Sequence, residues 1–267
     1  MDTRPIGIFD SGLGGVSTLR QAIHLLPNEN FVYYGDNGNA PYGSRSDEEI
    51  RVLSRNAVRF LIDKGTKAIL LACNTSTAAA YEQLKQISPV PIIGIEPAIL
   101  QASSLLGSGR ILMMSTEATA RMPRYHMLRK KLSDPARVAD VPCSSQFVWR
   151  VEHGVSDSKG YDDLFDAALT PFHGETVDAI VLGCTHYLFF QNQLAQYART
   201  HFRGEPCFFD GGRASATTLL RTLEQNDILN SDEIGGVTFY TSGDYDTYHA
   251  RFLSLLHQPM HIEGMEL

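Results

Sequence analysis

Two cysteines stand in matching surroundings far apart in the chain. Ala68-Ile69-Leu70-Leu71-Ala72 runs straight into Cys73-Asn74-Thr75, and Ala179-Ile180-Val181-Leu182-Gly183 runs into Cys184-Thr185-His186. Each apolar run suits a strand buried on both faces, and a helical pattern follows each. Such a thiol lies at the carboxyl end of a strand and near a helix N-terminus, where open α/β sheets place ligands and the helix dipole favours a thiolate. A free cysteine is more often a small buried hydrophobe, the reading that suits Cys143 and Cys207. Cys73 and Cys184 differ because small polar residues follow them. A thiol of ordinary pKa, about 8.5, is only slightly ionised at neutral pH and needs a helper. His186 is placed to help Cys184, and Asp10 is the candidate for Cys73. A cysteine hydrolase needs one nucleophile and one histidine, which leaves Cys73 without a role. Two thiols facing each other across a carbon acid suit proton exchange: one removes the α-proton, and the other returns a proton to the opposite face.

The surrounding pattern alternates strands and helices. Ile6 to Asp10 reads as a buried strand, followed by helix through Leu19, Ile23 and Leu26 up to Pro27. Phe31 to Tyr34 is a second strand, Asp47 to Lys64 an amphipathic helix, then come the Cys73 strand with its helix and a short strand at Pro91 to Ile95. The pattern restarts with strand at Arg110 to Met114, helix at Ala120 to Leu132 and strand at Arg137 to Val141. Helix at Asp162 to Phe172, the Cys184 strand with a helix to about Thr200, and strand at Pro206 to Phe209 follow. Helix at Ala214 to Glu224, a β-like Val237 to Thr241 and a closing helix at Tyr245 to Leu256 complete it. The fold class expected is α/β: two similar lobes, each a mainly parallel sheet flanked by helices, with the site in the cleft between them.

Two loops carry further candidates. Asp10-Ser11-Gly12-Leu13-Gly14-Gly15 partly resembles a dinucleotide fingerprint, but Ser17 holds the third glycine position and Asp10 sets a carboxylate where a pyrophosphate would sit. Backbone amides holding a small carboxylate, with Asp10 as base or orienting group, are the stronger reading; a purely structural turn is the plain one. In Pro41-Tyr42-Gly43-Ser44, Tyr42 and the Gly43 amide can meet a substrate, against an ordinary turn with a packed ring.

Composition bounds the rest. The 267 residues are 43% hydrophobic and 20% charged, the balance of an ordinary globular protein. A formal net charge of −7 without a basic stripe argues against nucleic-acid binding; Arg129-Lys130-Lys131 reads as a solvated helix face. No apolar run approaches membrane-spanning length, and Met1 to Pro5 carries no apolar signal core, so a cytoplasmic protein with reduced thiols is expected. The four cysteines form no CxxC pair, which argues against a zinc cage or disulfide framework. Neither a pyridoxal-binding lysine nor a metal set is evident, so no cofactor is expected.

Taken in order, these motifs resemble the glutamate racemases over nearly the whole chain. Gly7 to Gly15, Tyr34-Gly35-Asp36, Ala40-Pro41-Tyr42-Gly43, Ala72-Cys73-Asn74-Thr75 and Leu182-Gly183-Cys184-Thr185-His186-Tyr187 carry the likeness. Aspartate and hydantoin racemases share the two-cysteine plan, but the first motif and the Pro-Tyr-Gly loop fit the glutamate enzymes better. The resemblance implies cofactor-independent racemisation of L- and D-glutamate, supplying D-glutamate for peptidoglycan. It implies that Cys73 acts on the D-enantiomer with Asp10 assisting, and Cys184 on the L-enantiomer with His186 assisting. Ser11, Pro41, Tyr42, Gly43, Asn74, Thr75 and Thr185 match substrate-holding positions, and Thr116 and Thr119 a loop that approaches the substrate. Glu152 matches a glutamate near the site's mouth, with a surface carboxylate as an equal reading.

The resemblance also implies that the C-terminal segment crosses back, giving a first lobe of residues 1–97 plus 209–267 and a second of 98–208, with a homodimer left open. Leu188 replaces the usual proline, Gly211 the usual small hydroxyl residue, and the 114–119 loop lacks the usual glycines. The competing expectation is a two-lobed amino-acid sensor that binds without turnover.

Overall fold

The computed structural model describes residues 2–105, 107–154, 160–230 and 235–257, with the backbone of 261–262 and 265–266. Its first sheet is built from β1 (Ile6–Asp10), β2 (Phe31–Gly35), β3 (Ala68–Leu71), β4 (Ile92–Gly94) and β9 (Val237–Thr241), ordered β4-β3-β1-β2-β9 and parallel throughout. The second holds β5 (Arg110–Thr116), β6 (Val138–Cys143), β7 (Val177–Leu182) and β8 (Cys207–Asp210), ordered β6-β5-β7-β8 and also parallel. Two parallel sheets flanked by helices thus make two lobes, as the alternating pattern predicts. The chain returns to the first sheet through β9, and the expected boundary at residue 208 falls inside β8.

Strand order explains where the chemistry gathers. β2 lies on one side of β1 and β3 on the other, so the first sheet reverses direction between β1 and β3. The second reverses between β5 and β7. At such a switch point the connections leave to opposite faces and open a crevice at the strands' carboxyl ends. Asp10 and Cys73 emerge at the first crevice, Thr116 and Cys184 at the second.

Side chains alternate across each sheet, as strand geometry requires. Ile6, Ile8, Ala68 and Leu70 share one apolar cluster with Leu112, Met114, Ile180 and Leu182 of the second sheet. Phe9, Ile69 and Leu71 enter a cluster on the outer side of the first lobe, and Ile111, Met113, Ala179 and Val181 one on the outer side of the second. One face of each sheet therefore contributes to a core shared by both lobes.

The helices are α1 (Val16–Leu25), α2 (Asp47–Asp63), α3 (Asn74–Ile87), α4 (Ile99–Ser103), α5 (Glu117–Arg121), α6 (Pro123–Arg129), α7 (Gln146–Glu152), α8 (Asp162–Leu169), α9 (Gln191–His201), α10 (Gly212–Gln225) and α11 (Tyr245–His257). Ser46 and Glu49 form a capping box at the start of α2. Cys207, read as a buried hydrophobe, is instead exposed at the start of β8, and three helix expectations need correction. The helix expected over 120–132 is split into α5 and α6, because Pro123 forces Met122 into extended backbone, φ −74° and ψ 140°. Pro171 turns the end of the 162–172 helix into a 3-10 turn, Thr170–Phe172. After Cys184 comes a 3-10 segment, Thr185–Phe190, before α9 begins. The short helices α4 and α7 are absent from the periodicity reading. No helix among the described residues is long and apolar enough to cross a membrane.

Candidate active site

Cys73 caps the N-terminus of α3: its Sγ accepts from the Ser76 N–H at 3.4 Å, and its S–H donates to Ser11 Oγ at 3.3 Å. The Ser76 N–H, and the Ser11 hydroxyl once it turns to donate to the sulfur, favour a thiolate, yet burial outweighs them. With the nearby Asp10 charge acting in the same direction as burial, the Cys73 pKa is pushed up to about 12. Cys73 is therefore a protonated thiol, an acid ready to donate. Asp10 is fully buried and its own pKa is raised by burial, against the pull of His186 and the Gly12 N–H. Its carboxylate accepts from Gly12 N at 2.9 Å and, across the cleft, from Thr185 Oγ1 at 3.2 Å.

The second thiol has opposite company. His186 Nδ1 lies 3.7 Å from Cys184 Sγ, and its Nε2 lies 2.6 Å from Glu152 Oε1. Burial opposes charge on this imidazole, but the hydrogen bonds and charges of Cys184 and Glu152 win and hold it protonated well above the usual histidine range. Glu152 is likewise held below the usual glutamate range: burial opposes its charge, and His186, Leu13 N–H and Asn37 outweigh burial. The helix-terminus argument thus applies to Cys73 alone; at Cys184 an imidazolium supplies the positive charge instead. The surface reading of Glu152 is overturned, since the residue is 6% exposed at the end of α7. The apolar Phe147, Val148 and Val151 announce that helix, but seven residues are too few for a firm periodicity.

Other predicted residues divide into two groups. Thr75, Thr116 and Thr119 form a closed triangle of hydroxyls across the cleft, with Oγ1 separations of 2.9, 3.2 and 3.0 Å. Asn74 is 5% exposed, and its Oδ1 has no partner among the described residues. A buried orphan acceptor is costly and invites a donor such as an ammonium group. Tyr42 is also buried, but its hydroxyl donates to Asp36 Oδ2 at 2.5 Å, so its ring organises the loop from within. Pro41 and Gly43 line a small cavity of about 160 Å³ with Ser44, Thr116, Glu117, Cys143, Ser144, Ser145 and Val148.

The glycine turn brings the lobes together. A Cβ at Gly12 would lie 2.2 Å from Glu152 Oε1, and one at Gly14 would lie 2.3 Å from His186 Nδ1. The absence of side chains is what lets these groups approach, and that contact fills the space a pyrophosphate would need. The dinucleotide reading fails for this steric reason. Away from the cleft, Asp166, His173 and His201 offer ligand atoms within 4.8 Å of one another. The Tyr197 hydroxyl lies 2.8 Å from both Asp166 and His173 and satisfies them by hydrogen bonding.

Two parallel sheets, each with a buried cysteine just beyond a strand beside its switch point, define a two-lobed α/β protein with its candidate site where the lobes meet. The family model described as Asp/Glu/Hydantoin racemase matches residues 14–219, and the chain belongs to that family. Among curated relatives, a glutamate racemase of Clostridium botulinum (strain Alaska E43 / Type E3) is 37% identical over 90% of this chain and 92% of its own. One from Clostridium perfringens (strain ATCC 13124 and its synonyms, Type A) is 41% identical over 87% and 88%. The crystal structure of glutamate racemase from Francisella tularensis subsp. tularensis SCHU S4, in complex with D-glutamate, superimposes with a TM-score of 0.81 at 28% identity, covering 97% of this chain and 95% of that one.

Proposed function

We propose that this protein racemises glutamate by exchanging protons between two thiols, without drawing on any group outside the chain. The observation that carries the reading is the opposed charge beside matched cysteines. Cys184 lies 3.7 Å from the His186 imidazolium, a positive charge that suits it to the role of base; Cys73 adjoins the Asp10 carboxylate and stays a thiol. In that state Cys184 takes the α-proton of L-glutamate, electron density flows into the α-carboxylate, and Cys73 delivers its proton to the opposite face. The product is D-glutamate, with the charge now on Cys73. In the reverse passage the Cys73 thiolate takes the α-proton of D-glutamate and the Cys184 thiol delivers its proton to the opposite face, restoring the starting pair. In net turnover from L-glutamate, exchange with solvent returns a proton to Cys73 and removes one from Cys184. Asn74 Oδ1 suits the substrate ammonium, while the Ser11, Thr75, Thr116, Thr119 and Thr185 hydroxyls and the Gly43 amide suit the carboxylates. Exclusion of water strengthens each of these interactions as the carbanion forms.

Supply of D-glutamate for peptidoglycan in the cytoplasm follows from this reading, with lobes at 1–97 plus 209–267 and 98–208. A homodimer is proposed on the family resemblance alone. Circular dichroism of L-glutamate incubated with the protein tests the function. A racemase drives the signal towards zero and a binding protein leaves it unchanged. Parallel runs with aspartate separate the two acids. Cys73→Ala and Cys184→Ala are each expected to abolish the decay while the far-ultraviolet spectrum persists; near-normal turnover in either would refute the two-thiol mechanism.

A further inference from the structure

The acid that supports His186 belongs to the second lobe, but the donors that hold it come from the first. Glu152 Oε1 accepts from the Leu13 N–H at 2.6 Å, and Oε2 accepts from Asn37 Nδ2 at 2.7 Å. Asn37 follows β2 by two residues, and its amide is itself held. Its Oδ1 accepts from Thr241 Oγ1 at 2.8 Å, at the end of β9, where Thr241 pairs in register with Gly35. That hydroxyl already accepts from the Gly243 N–H at 3.0 Å, so its own proton is left for Asn37. The chain of donors therefore fixes which end of the Asn37 amide faces Glu152. Asn37 is 4% exposed, so water offers no substitute.

We propose that Asn37 is a positioning residue for the Cys184 half of the reaction, acting through Glu152 and oriented by Thr241, so that this half is assembled only when the two lobes meet. The inference rests on the racemase reading above. Its physical content is direct. A carboxylate buried in the cleft stays ionised only while donors surround it; with one removed, its proton affinity rises and the imidazolium loses its counter-ion. The titratable groups facing Glu152 are His186, Asp10, Tyr33 and Tyr248. Asp10 and the two tyrosines supply no positive charge to compensate for the lost donor.

The test is steady-state racemisation by Asn37→Ala, Asn37→Asp and Thr241→Val, assayed in both directions across pH. Asn37→Ala should lower kcat from L-glutamate about 10- to 100-fold, the scale of one hydrogen bond to a charged group, with KM changed far less. The acid limb of its kcat profile should move to higher pH, because Glu152 then protonates earlier. The primary isotope effect with α-deuterated L-glutamate should grow more than that with the D-enantiomer. Asn37→Asp makes a buried carboxylate pair that shares a proton at acid pH, so it should be most active there and decline as pH rises. Thr241→Val should show a weaker form of the Asn37→Ala profile; if Asn37→Ala fails to fold, this variant carries the test. Wild-type acid limbs and isotope effects in Asn37→Ala, or a wild-type profile in Asn37→Asp, would overturn the proposal. A wild-type protein that does not racemise glutamate would instead overturn the function it rests on.

Discussion

Cys73 and Cys184 each follow a buried parallel strand, but only Cys73 caps an α-helix, and the two differ in the charge placed beside them. In the proposed mechanism that difference decides which thiol starts as acid. Burial and Asp10 push the Cys73 pKa up to about 12, well past the ordinary thiol value. In the direction from L-glutamate Cys73 must be protonated, and a raised pKa keeps the proton on as pH climbs. The kcat profile from L-glutamate is therefore expected to stay level through pH 9 to about 10, with its alkaline fall deferred towards the Cys73 value. A fall centred near about 8.5, the unperturbed thiol, would show that Cys73 is not the acid. Enantiomers have equal free energies, so kcat/KM in the two directions must remain equal at every pH, and any asymmetry has to appear in kcat and KM separately. At this scale the sequence is informative. Cysteine, histidine and aspartate beside strand ends are readable as residue types. Asn37 is not, because an asparagine in a loop of Gly, Asn and Pro carries no mark of the carboxylate it will meet. Glu152 is half readable: its motif is visible, but its burial depends on a lobe contact 139 residues away from Leu13.

Among the elements, the turn after β1 is decisive. It connects β1 to α1, bonds Glu152 through Leu13, and passes close enough to the second lobe that side chains are excluded at Gly12 and Gly14. Gly14→Ala would set a methyl group 2.3 Å from His186 Nδ1 and 2.5 Å from Thr185 Oγ1. Relief must come from moving the histidine or parting the lobes, at the usual overpacking cost of about 1–3 kcal/mol. The variant should keep its helical signal, melt several degrees lower and lose most of its racemisation; unchanged kcat would mean that the close approach is irrelevant to catalysis. Strand periodicity reveals the buried elements well, since β3 is apolar throughout and β1 and β7 are apolar apart from Asp10 at the end of one and Asp178 near the start of the other. It overextends helices where proline intervenes, as at Pro123 and Pro171, because a hydrophobic face continues across a break that the backbone cannot follow.

At the scale of the molecule, two sheets share one apolar cluster and meet at their switch points. Periodicity shows a restart near residue 100, but which strands become neighbours is a long-range matter that no local pattern encodes. The return of β9 to the first sheet is such a case. That return is held at the opposite end of the strands from the cysteines, where Lys67 Nζ lies 2.6 Å from Glu29 Oε2 with both side chains buried. Glu29 Oε1 also accepts from Asn230 N at 2.8 Å, and Lys67 donates to the Asp2 carbonyl at 2.6 Å. Removing one partner of a buried pair strands the other charge, so Lys67→Met should cost about 3–5 kcal/mol in denaturant unfolding. A loss within the range of a surface substitution, about 0.5 kcal/mol, would contradict it. The proposed racemisation stands on the opposition of two thiols across the cleft, and proton inheritance tests that most directly. In deuterated water, starting from L-glutamate, the first D-glutamate formed should carry deuterium at the α-carbon while the remaining L-glutamate still carries protium. D-glutamate that inherits the original proton would mean a single base serves both faces, and the two-thiol account would fall.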